Sequence, residues 1–298
     1  MKHKINSKKD VALISDIYSF DKKLVLIIRE AGLNIVKHTK GGKFIFYSLK
    51  DKYRLIFDDI SDGFDIKTSF KKGFSSSKTL GIGLNLLINI VDFMEIIPKK
   101  DGTIFIFDVY KKEKKEYCLF HKEFNNFKAF LKTDPFLSIT TCGDCGIFEK
   151  AGKKFLFALW DIEGHGNKEV YLASKKLKKI ILAFKHFDIK ESIDVINYLF
   201  SDSKRASLII GEIKDKIFLY QFGNVKFLYN NSISQSAMGI FGMKILDKKE
   251  YILEIDDIAL FSDGIRLNKI PSSYEELSQI LKNKELDDAS ILSIKVKK

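Results

Sequence analysis

Residues 110–117 of the chain carry the run YKKEKKEY, in which lysines and glutamates follow one another without any apolar periodicity. Such a run is usually a solvated linker, because it offers no face that could pack on a core. It leaves segments of about 110 and about 180 residues on either side, both of ordinary domain size. We therefore predict one domain at 1–110, a charged linker at 111–117 and a second domain at 118–298.

The composition is typical of a globular protein, with 45% apolar and 30% charged residues in a chain of 298. The longest apolar stretch, at 80–97, includes Asn85, Asn89, Asp92 and Glu95, so we expect no membrane association. The basic start has no apolar core behind it, which argues against a secretory signal. Three cysteines cannot form a full set of disulfides, so we expect a reduced, cytoplasmic protein.

A net charge of +12 makes nucleic-acid binding an alternative function to be weighed. Only 4 of the 51 basic residues are arginine, whose rigid guanidinium reads phosphates and guanines with two parallel hydrogen bonds. The lysines are scattered along the whole chain rather than gathered in one stripe. We interpret the surplus as a compositional bias and expect no nucleic-acid partner.

Hydrophobic periodicity predicts the secondary structure of both segments. In the first segment it predicts helices at 23–37 and 84–96 and strands at 43–49, 53–59 and 103–110. In the second it predicts helices at 170–184, 189–200 and 274–282, with the lysines at 175, 176, 178 and 179 facing water. The predicted strands of the second segment are 136–142, 146–151, 154–161, 206–213, 216–223, 225–230, 250–255, 257–263 and 290–296. Runs of strands interrupted by helix pairs favour an α+β sandwich over a parallel βαβ sheet.

Separate elements of the first segment together predict a nucleotide site. Glu30 and Asn34 lie four residues apart and project from one helix face, where Asn34 can ligate Mg²⁺ and Glu30 can accept a proton. Asp59 follows a predicted strand and can accept a hydrogen bond from an adenine amino group, with Gly63 in the turn after it. Taken alone, the first pair is more often an exposed polar face and the second a surface turn.

A third element is the stretch KGFSSSKTLGIGL, a loop rich in serine that leads into an apolar helix. Gly81 and Gly83 stand at the start of that helix, a pattern typical of a phosphate cradle at a helix N-terminus. Two glycines alone are a weak signal, but the three elements occur in one order and at a consistent spacing.

In that order the elements resemble the GHKL ATPase superfamily, and within it the switch-protein serine kinases and anti-sigma factors of bacterial partner switching. The family's N-box, Glu-x-x-x-Asn, matches Glu30 and Asn34, its adenine-binding aspartate matches Asp59, and Ser61 stands where the family has a glycine. The matching glycines are Gly63, Gly73, Gly81 and Gly83. The resemblance covers about residues 20–108 and implies a Bergerat α/β sandwich that binds ATP with Mg²⁺, with Glu30 as the catalytic base of a serine kinase. A sensor histidine kinase is excluded, because the 29 residues before Glu30 contain His3 alone and no dimerising helix pair.

Four aspartates of the second segment stand at predicted strand ends, namely Asp144, Asp161, Asp263 and Asp287. Any one of them alone is more often an ordinary turn residue. If the strand ends converge, the carboxylates form a site of hard oxygen ligands for two Mg²⁺ or Mn²⁺ ions. Two such ions can activate a water molecule for attack on a phosphoryl group, which requires no nucleophilic side chain.

Together these residues resemble the metal-dependent, PPM-type serine phosphatases of bacterial sporulation and stress responses. The sequence DIEGHG resembles the family pattern Asp-Gly-x-Gly-His-Gly, and the resemblance covers about residues 135–297. It implies an α-β-β-α sandwich in which Asp161 bridges the two metals and the Ile162 carbonyl ligates one of them. It also implies Asp263 and Asp287 as further ligands and Asp144 as a ligand acting through a water molecule.

Two other patterns suggest alternative chemistry. Cys142 and Cys145 form a CxxC pair, which is found in zinc ribbons and redox sites, but no second pair follows and Cys118 stands alone. We expect neither thiol to take part in the chemistry. His165, between two glycines, is more often a residue that shapes its loop than a general base.

The two resemblances together imply a bifunctional regulator of bacterial partner switching, which removes and adds phosphate on serine or threonine of a STAS-domain-like phosphoprotein. The alternative is an ATP-binding anti-sigma or docking module fused to a phosphatase, without kinase activity. The sequence leaves open whether a sigma factor is a further partner, whether the chain forms a homodimer, and whether Mg²⁺ or Mn²⁺ is preferred.

Overall fold

The computed structural model describes residues 1–62, 80–112, 118–134, 142–164, 168–201, 203–243, 248–263, 265–282 and 288–297. The chain forms two compact units, one made of Met1–Lys115 with Lys179–Ile196 and the other of Glu116–Lys178 with Asn197–Lys298. Within the described ranges, no helix is both long and apolar enough to cross a membrane.

The first unit contains a five-stranded antiparallel sheet. Its strands are β1 (Lys2–Ile5), β2 (Gly42–Ser48), β3 (Lys52–Asp59), β4 (Phe93–Lys99) and β5 (Gly102–Tyr110), in the spatial order β1-β2-β3-β5-β4. Apolar residues alternate along the strands and place Phe44, Phe57 and Phe107 in the interior, fully buried. The rings of Phe44 and Phe57 face each other across β2 and β3 with centroids 4.9 Å apart, so aromatic packing forms the centre of this core.

Before residue 113, the described part of this unit has the helices α1 (Lys8–Ile17), α2 (Lys22–His38) and α3 (Leu80–Ile90). The carboxylate of Asp21 begins α2, because it accepts hydrogen bonds from the Lys23 and Leu24 amides at 2.8 and 3.3 Å. The apolar stripe of α2 is buried and consists of Leu24, Ile27, Ile28, Ala31 and Ile35. This stripe fixes the rotation of α2 about its axis and therefore the positions of its polar residues.

The predicted helix at 84–96 is wrong beyond residue 90, and the sequence analysis also missed β1 and α1. The helix α3 ends at Ile90, and Phe93–Lys99 forms β4 instead. Asp92 lies between the two elements. Its carboxylate accepts a hydrogen bond from the Tyr110 amide at 2.8 Å, which ties this junction to the end of β5. Met94 continues the helical stripe, but Met94 and Ile96 are both buried two residues apart, as in a strand, and they pair with β5.

The second unit contains two antiparallel sheets. The first has the order β14-β11-β10-β9-β8, with β8 (Cys145–Ala151), β9 (Lys154–Ile162), β10 (Ala206–Ile213), β11 (Ile217–Phe222) and β14 (Lys249–Leu253). The second has the order β13-β12-β15-β16-β7-β6, with β6 (Leu119–Glu123), β7 (Phe127–Asp134), β12 (Lys226–Tyr229), β13 (Ser232–Ile233), β15 (Ile258–Phe261) and β16 (Ala289–Val296). One continuous apolar cluster takes residues from both sheets, so they pack face to face as a sandwich.

The mixed α+β class predicted from the sequence is confirmed, with three antiparallel sheets in the two units. The helices α4 (Lys168–Ala183), α5 (Ile189–Phe200) and α6 (Tyr274–Leu281) lie close to their predicted bounds. The sequence analysis missed β6 and β7, and most of the strand predicted at 136–142 lies outside the described residues.

The segment Lys179–Ile196, which includes the end of α4 and the start of α5, belongs to the first unit. The expectation that Lys179 faces water is wrong, because its ammonium donates to the Ile88 carbonyl at 2.7 Å and to the Val91 carbonyl. These carbonyls lie at the C-terminal end of α3, where a helix has unsatisfied acceptors and favours a cation. Lys179 therefore caps α3.

Glu95 on β4 makes a second contact with this segment. Its carboxylate pairs with the His186 ring at 2.6 Å and with the Lys185 ammonium at 2.9 Å. The hydrogen bond with His186, followed by that with Lys185, lowers the pKa of Glu95 to about 2. Glu95 is therefore ionised at neutral pH and holds the turn after α4 against β4.

Candidate metal centre and nucleotide site

The candidate metal centre lies at the end of β8 and β9 in the second unit. Cys145 pairs with Trp160 across these strands, so Asp144, one residue earlier, and Asp161, one residue later, lie at the same end of the pair. Asp144 is fully buried, and neither of its carboxylate oxygens has a hydrogen-bond partner among the described residues. A buried carboxylate in this condition requires a cation or a proton.

A third carboxylate comes from the start of β16. Asp288 is buried, and its Oδ2 accepts a hydrogen bond from the Gly143 amide at 3.3 Å. One ligand atom each of Cys142, Asp144 and Asp288 lies within 4.8 Å of the other two. The group therefore brings together the loop before β8 and the residue before β16, which are far apart in the sequence.

The electrostatics of this group oppose ionisation when no cation is present. Burial, followed by the negative charges of Asp161 and Asp288, raises the pKa of Asp144 well above its usual range. Burial and the charges of Asp144 and Asp288 likewise raise the pKa of the Cys142 thiol. A divalent cation among these oxygens would remove the repulsion, so the unpartnered Asp144 and its neighbours fit an Mg²⁺ or Mn²⁺ site.

Glycine at 143 allows this loop to approach the rest of the unit closely. A Cβ at that position would lie 2.6 Å from Val170 Cγ1 of α4 and 3.2 Å from the Ile162 carbonyl oxygen of β9. A larger residue would push Asp144 and Cys142 away from β9. The same contact places the Ile162 carbonyl, a predicted metal ligand, beside the loop that carries Asp144.

The structure brings together only some of the predicted metal ligands. Asp144 and Asp161 are neighbours. Asp263 is exposed just after β15, where the register with β16 places it opposite Ala289, and its Oδ2 accepts a hydrogen bond from Asn224 at 3.4 Å. Asp287 and His165 lie outside the described residues. Asp288, which the sequence analysis passed over, is the carboxylate that lies beside Asp144. The doublet in LDDASIL was the available signal, but the alternation of a strand that begins at residue 289 could not show which aspartate faces inward.

The expectation that Cys118 stands alone is wrong. Cys118 forms a disulfide with Cys145, and both residues lie in the second unit, at β6 and at the start of β8. Cys142 is the remaining free thiol. Cysteines 27 residues apart become partners because β6, β7 and β8 bring them together, which their spacing alone does not reveal.

The candidate nucleotide site in the first unit begins where α3 meets α2. Glu30 and Asn34 are half buried on α2, as their spacing predicts. A Cβ at Gly83 of α3 would lie 3.2 Å from Glu30 Oε2 and 3.6 Å from Asn34 Nδ2. The structure therefore brings these three predicted residues together, and the glycine leaves room above the polar pair.

The remaining predicted residues are distributed as follows. Gly63 and Gly73 lie outside the described residues, and Gly81 belongs to the first turn of α3. Asp59 ends β3 and is 5% exposed. Burial raises the pKa of its carboxylate, against the opposing effect of its hydrogen bonds.

Asp59 is held in place by the turn between β4 and β5. Its Oδ1 accepts hydrogen bonds from the Ser61 hydroxyl and the Thr103 amide, both at 2.9 Å. A Cβ at Gly102, whose φ is +147°, would lie 2.1 Å from the Asp59 carbonyl oxygen, so only glycine fits there. The Thr103 hydroxyl is buried and has no partner among the described residues. Asp59 and Thr103 thus offer an acceptor and a hydroxyl side by side, as recognition of a heterocycle with donor and acceptor groups requires.

Comparison with known proteins finds no matching family and no match among curated proteins. Solved structures do match. The crystal structure of RsbX in complex with magnesium is 17% identical, with a TM-score of 0.53 over 60% of this chain and 100% of that chain. The structure of the RsbU and RsbW domains of a Mycobacterium tuberculosis protein is 13% identical, with a TM-score of 0.50 over 62% of this chain and 64% of that chain.

These similarities concern the fold. Over 60% of its length the chain is structurally similar to RsbX, one of the bacterial PPM-type serine phosphatases. The resemblance of the first segment to GHKL ATPases stays a prediction from its motifs.

Proposed function

We propose that this chain is a metal-dependent protein serine/threonine phosphatase, acting on a phosphorylated STAS-domain-like protein in bacterial partner switching. The observation that carries the proposal is the fully buried Asp144 carboxylate, unpartnered among the described residues and next to Asp161 and Asp288. Three carboxylates in one buried place are unfavourable unless cations neutralise them. The fold shared with RsbX supports this assignment.

The protein residues of this site would hold and orient divalent cations. Asp144, Asp161 and Asp288 supply the converging carboxylates, and the resemblance adds Asp263, Asp287 and the Ile162 carbonyl. When bound, Mg²⁺ or Mn²⁺ supplies an activated water molecule and neutralises the phosphoryl oxygens.

A covalent mechanism through the nearby thiol is disfavoured. In the metal-free centre, burial and the charges of Asp144 and Asp288 raise the pKa of the Cys142 thiol, which favours the protonated sulfur. The protonated thiol is a poor nucleophile, since the thiolate is the reactive form. Direct attack by water is therefore the hydrolytic route that the site supports best.

The decisive test is hydrolysis of a phosphoserine STAS-domain protein by the full chain. We expect phosphate release with Mn²⁺ or Mg²⁺, complete loss after chelation, and recovery when the metal is restored. Phosphate release and the mobility of the phosphoprotein on a phosphate-affinity gel measure the reaction. Activity that survives exhaustive chelation would refute the two-metal mechanism.

We further propose that the first unit binds ATP with Mg²⁺ and phosphorylates the same partner. The support is the approach of Gly83 to Glu30 and Asn34, together with the buried Asp59 beside Thr103. A matching solved structure contains an RsbU and an RsbW domain of one Mycobacterium tuberculosis protein. The alternative is an ATP-binding anti-sigma or docking module, and a sigma factor would then be its partner.

Replacing Glu30 with glutamine separates these two candidates. The amide keeps the shape of the side chain but cannot accept a proton, so Glu30→Gln should bind ATP normally and transfer phosphate at least ~10²-fold more slowly. Radiolabel transfer from ATP to the STAS protein measures the rate, and Asp16→Asn, at an exposed position of α1, is the matched control. Undiminished transfer would exclude Glu30 as the base, and ATP binding without transfer in the native chain would favour the docking module.

A further inference from the structure

The thiol of Cys142 lies beside two carboxylates of the candidate metal centre. Cys118 and Cys145 are bonded to each other, which leaves Cys142 as the free thiol of the chain. Its sulfur points into the group that contains Asp144 and Asp288, with one ligand atom of each within 4.8 Å of the others. The disulfide fixes Cys145 three residues further on, so the loop that presents Cys142 is anchored at the start of β8.

The dimensions of the group suit a small tetrahedral cation. With a metal–sulfur bond of about 2.3 Å and a metal–oxygen bond of about 2.1 Å, tetrahedral ligands lie about 3.6 Å apart. The observed upper limit of 4.8 Å exceeds this by roughly 1 Å, so the three ligand atoms would move slightly closer together when the ion binds.

The second, independent observation is Asp144. Its two oxygens are fully buried and have no hydrogen-bond partner among the described residues. A bound cation would supply the positive charge that they need. Asp288 is oriented by the Gly143 amide, which belongs to the same loop as Cys142. An oriented carboxylate, an unpartnered carboxylate and a thiol thus converge on one point.

We propose that Cys142, Asp144 and Asp288 form a three-ligand site for a thiophilic divalent cation, Zn²⁺. Thiolate and carboxylate ligands together are typical of zinc, and three protein ligands leave a fourth position open. Binding converts the thiol to a metal thiolate, and its proton leaves to solvent. At sites of nitrogen, oxygen and sulfur ligands Zn²⁺ binds more tightly than Mn²⁺.

This site overlaps the one to which the proposed function assigns Mg²⁺ or Mn²⁺, so its consequence rests on that function. Zn²⁺ would occupy part of the phosphatase centre and exclude the hard cations that hydrolysis requires. Zinc availability would then set the fraction of active phosphatase. The binding itself does not depend on any activity.

The test uses Co²⁺ as a spectroscopic probe on the full chain after chelation. We expect a sulfur-to-cobalt charge-transfer band in the near ultraviolet, which equimolar Zn²⁺ removes and equimolar Mg²⁺ leaves in place. Cys142→Ser should lose the band and bind Zn²⁺ at least ~100-fold more weakly, because even outer-shell partners of a metal typically contribute 10–100-fold. Asp144→Asn should keep the thiol yet bind at least ~10-fold more weakly. Asp215→Asn, at an exposed turn, should bind as the native chain does.

Absence of the cobalt band in the native chain would overturn the proposal, as would unchanged zinc affinity in a folded Cys142→Ser variant. If that variant does not fold, alkylation of the native chain decides. Zn²⁺ should then slow modification of Cys142 by iodoacetamide while Mg²⁺ does not, and equal rates would refute the site. Phosphate release by a separate, Mn²⁺-loaded sample of the same preparation keeps the two ideas apart, since a cobalt band together with no hydrolysis in Mn²⁺ refutes only the proposed function.

Discussion

Replacing Asp144 with asparagine will stabilise the metal-free protein while abolishing its metal-dependent hydrolysis. The native carboxylate is buried without a partner among the described residues and lies beside two further carboxylates. The amide has nearly the same shape and carries no charge, so the free energy of unfolding in chelator should rise by about 1–3 kcal/mol. The rate with Mn²⁺ should fall at least ~10³-fold, since transition-state stabilisation of several kcal/mol depends on the metal.

Denaturant unfolding in the presence of a chelator measures the first effect, and phosphate release with Mn²⁺ measures the second. Asp215→Asn is the matched control and should change neither quantity. Asp161 is half buried on β9, and the variant Asp161→Asn should hydrolyse the substrate at least as slowly as Asp144→Asn. A variant Asp144→Asn that is less stable than the native chain in chelator would show that the carboxylate is satisfied, and the metal assignment would lose its basis.

Loss of the Asn34 side chain should abolish nucleotide binding without unfolding the chain. Asn34 is half buried on α2, next to Gly83 of α3, where its amide oxygen can ligate the magnesium of Mg·ATP. We expect Asn34→Ala to raise the dissociation constant for Mg·ATP at least ~100-fold, a change typical of losing a residue that holds the metal. The melting temperature of the nucleotide-free protein should change little, because a partly exposed polar residue contributes little to stability.

Calorimetric titration with Mg·ATP measures this effect. Asn89→Ala is the matched control, since Asn89 is exposed on α3 of the same unit. Nucleotide affinity that survives in Asn34→Ala would exclude its role as a metal ligand. If the native chain itself has no affinity, Ser61 is the first residue to examine, because its hydroxyl already donates to Asp59 Oδ1.

Hydrophobic periodicity correctly predicted those elements whose apolar residues match the face that is buried in the structure. The helix α5 has the predicted bounds because it has one apolar face, and β10 matches its predicted range because it is a short apolar run that is buried on both faces. The prediction for 84–96 failed because the helical stripe reaches Met94, whereas Ile96, two residues later, follows the strand period and pairs with β5. Such a decision depends on contacts between distant parts of the chain, which a local pattern does not contain.

The candidate sites show the same limit. Asp144 and Asp161 were predicted separately, and the β8–β9 register makes them neighbours. Glu30 and Asn34 were predicted from their spacing and Gly83 from its place at the start of an apolar helix, but only the structure shows that Gly83 lies beside the other two. The choice of Asp288 as the neighbour of Asp144, and the pairing of Cys118 with Cys145, depend on tertiary structure and could not be predicted from the sequence.

The capping of α3 by Lys179 has a consequence for how the chain acquires its structure during synthesis. The first unit is discontinuous, since Lys179–Ile196 completes it after residues 116–178 have been made. A nascent chain that ends before residue 179 leaves the Ile88 and Val91 carbonyls and the Glu95 carboxylate without the partners they have in the finished protein. Domains usually fold one after the other as they leave the ribosome. Here the first unit has to wait for a segment that is synthesised after residues 116–178 of the second unit, so the two units mature together rather than in sequence.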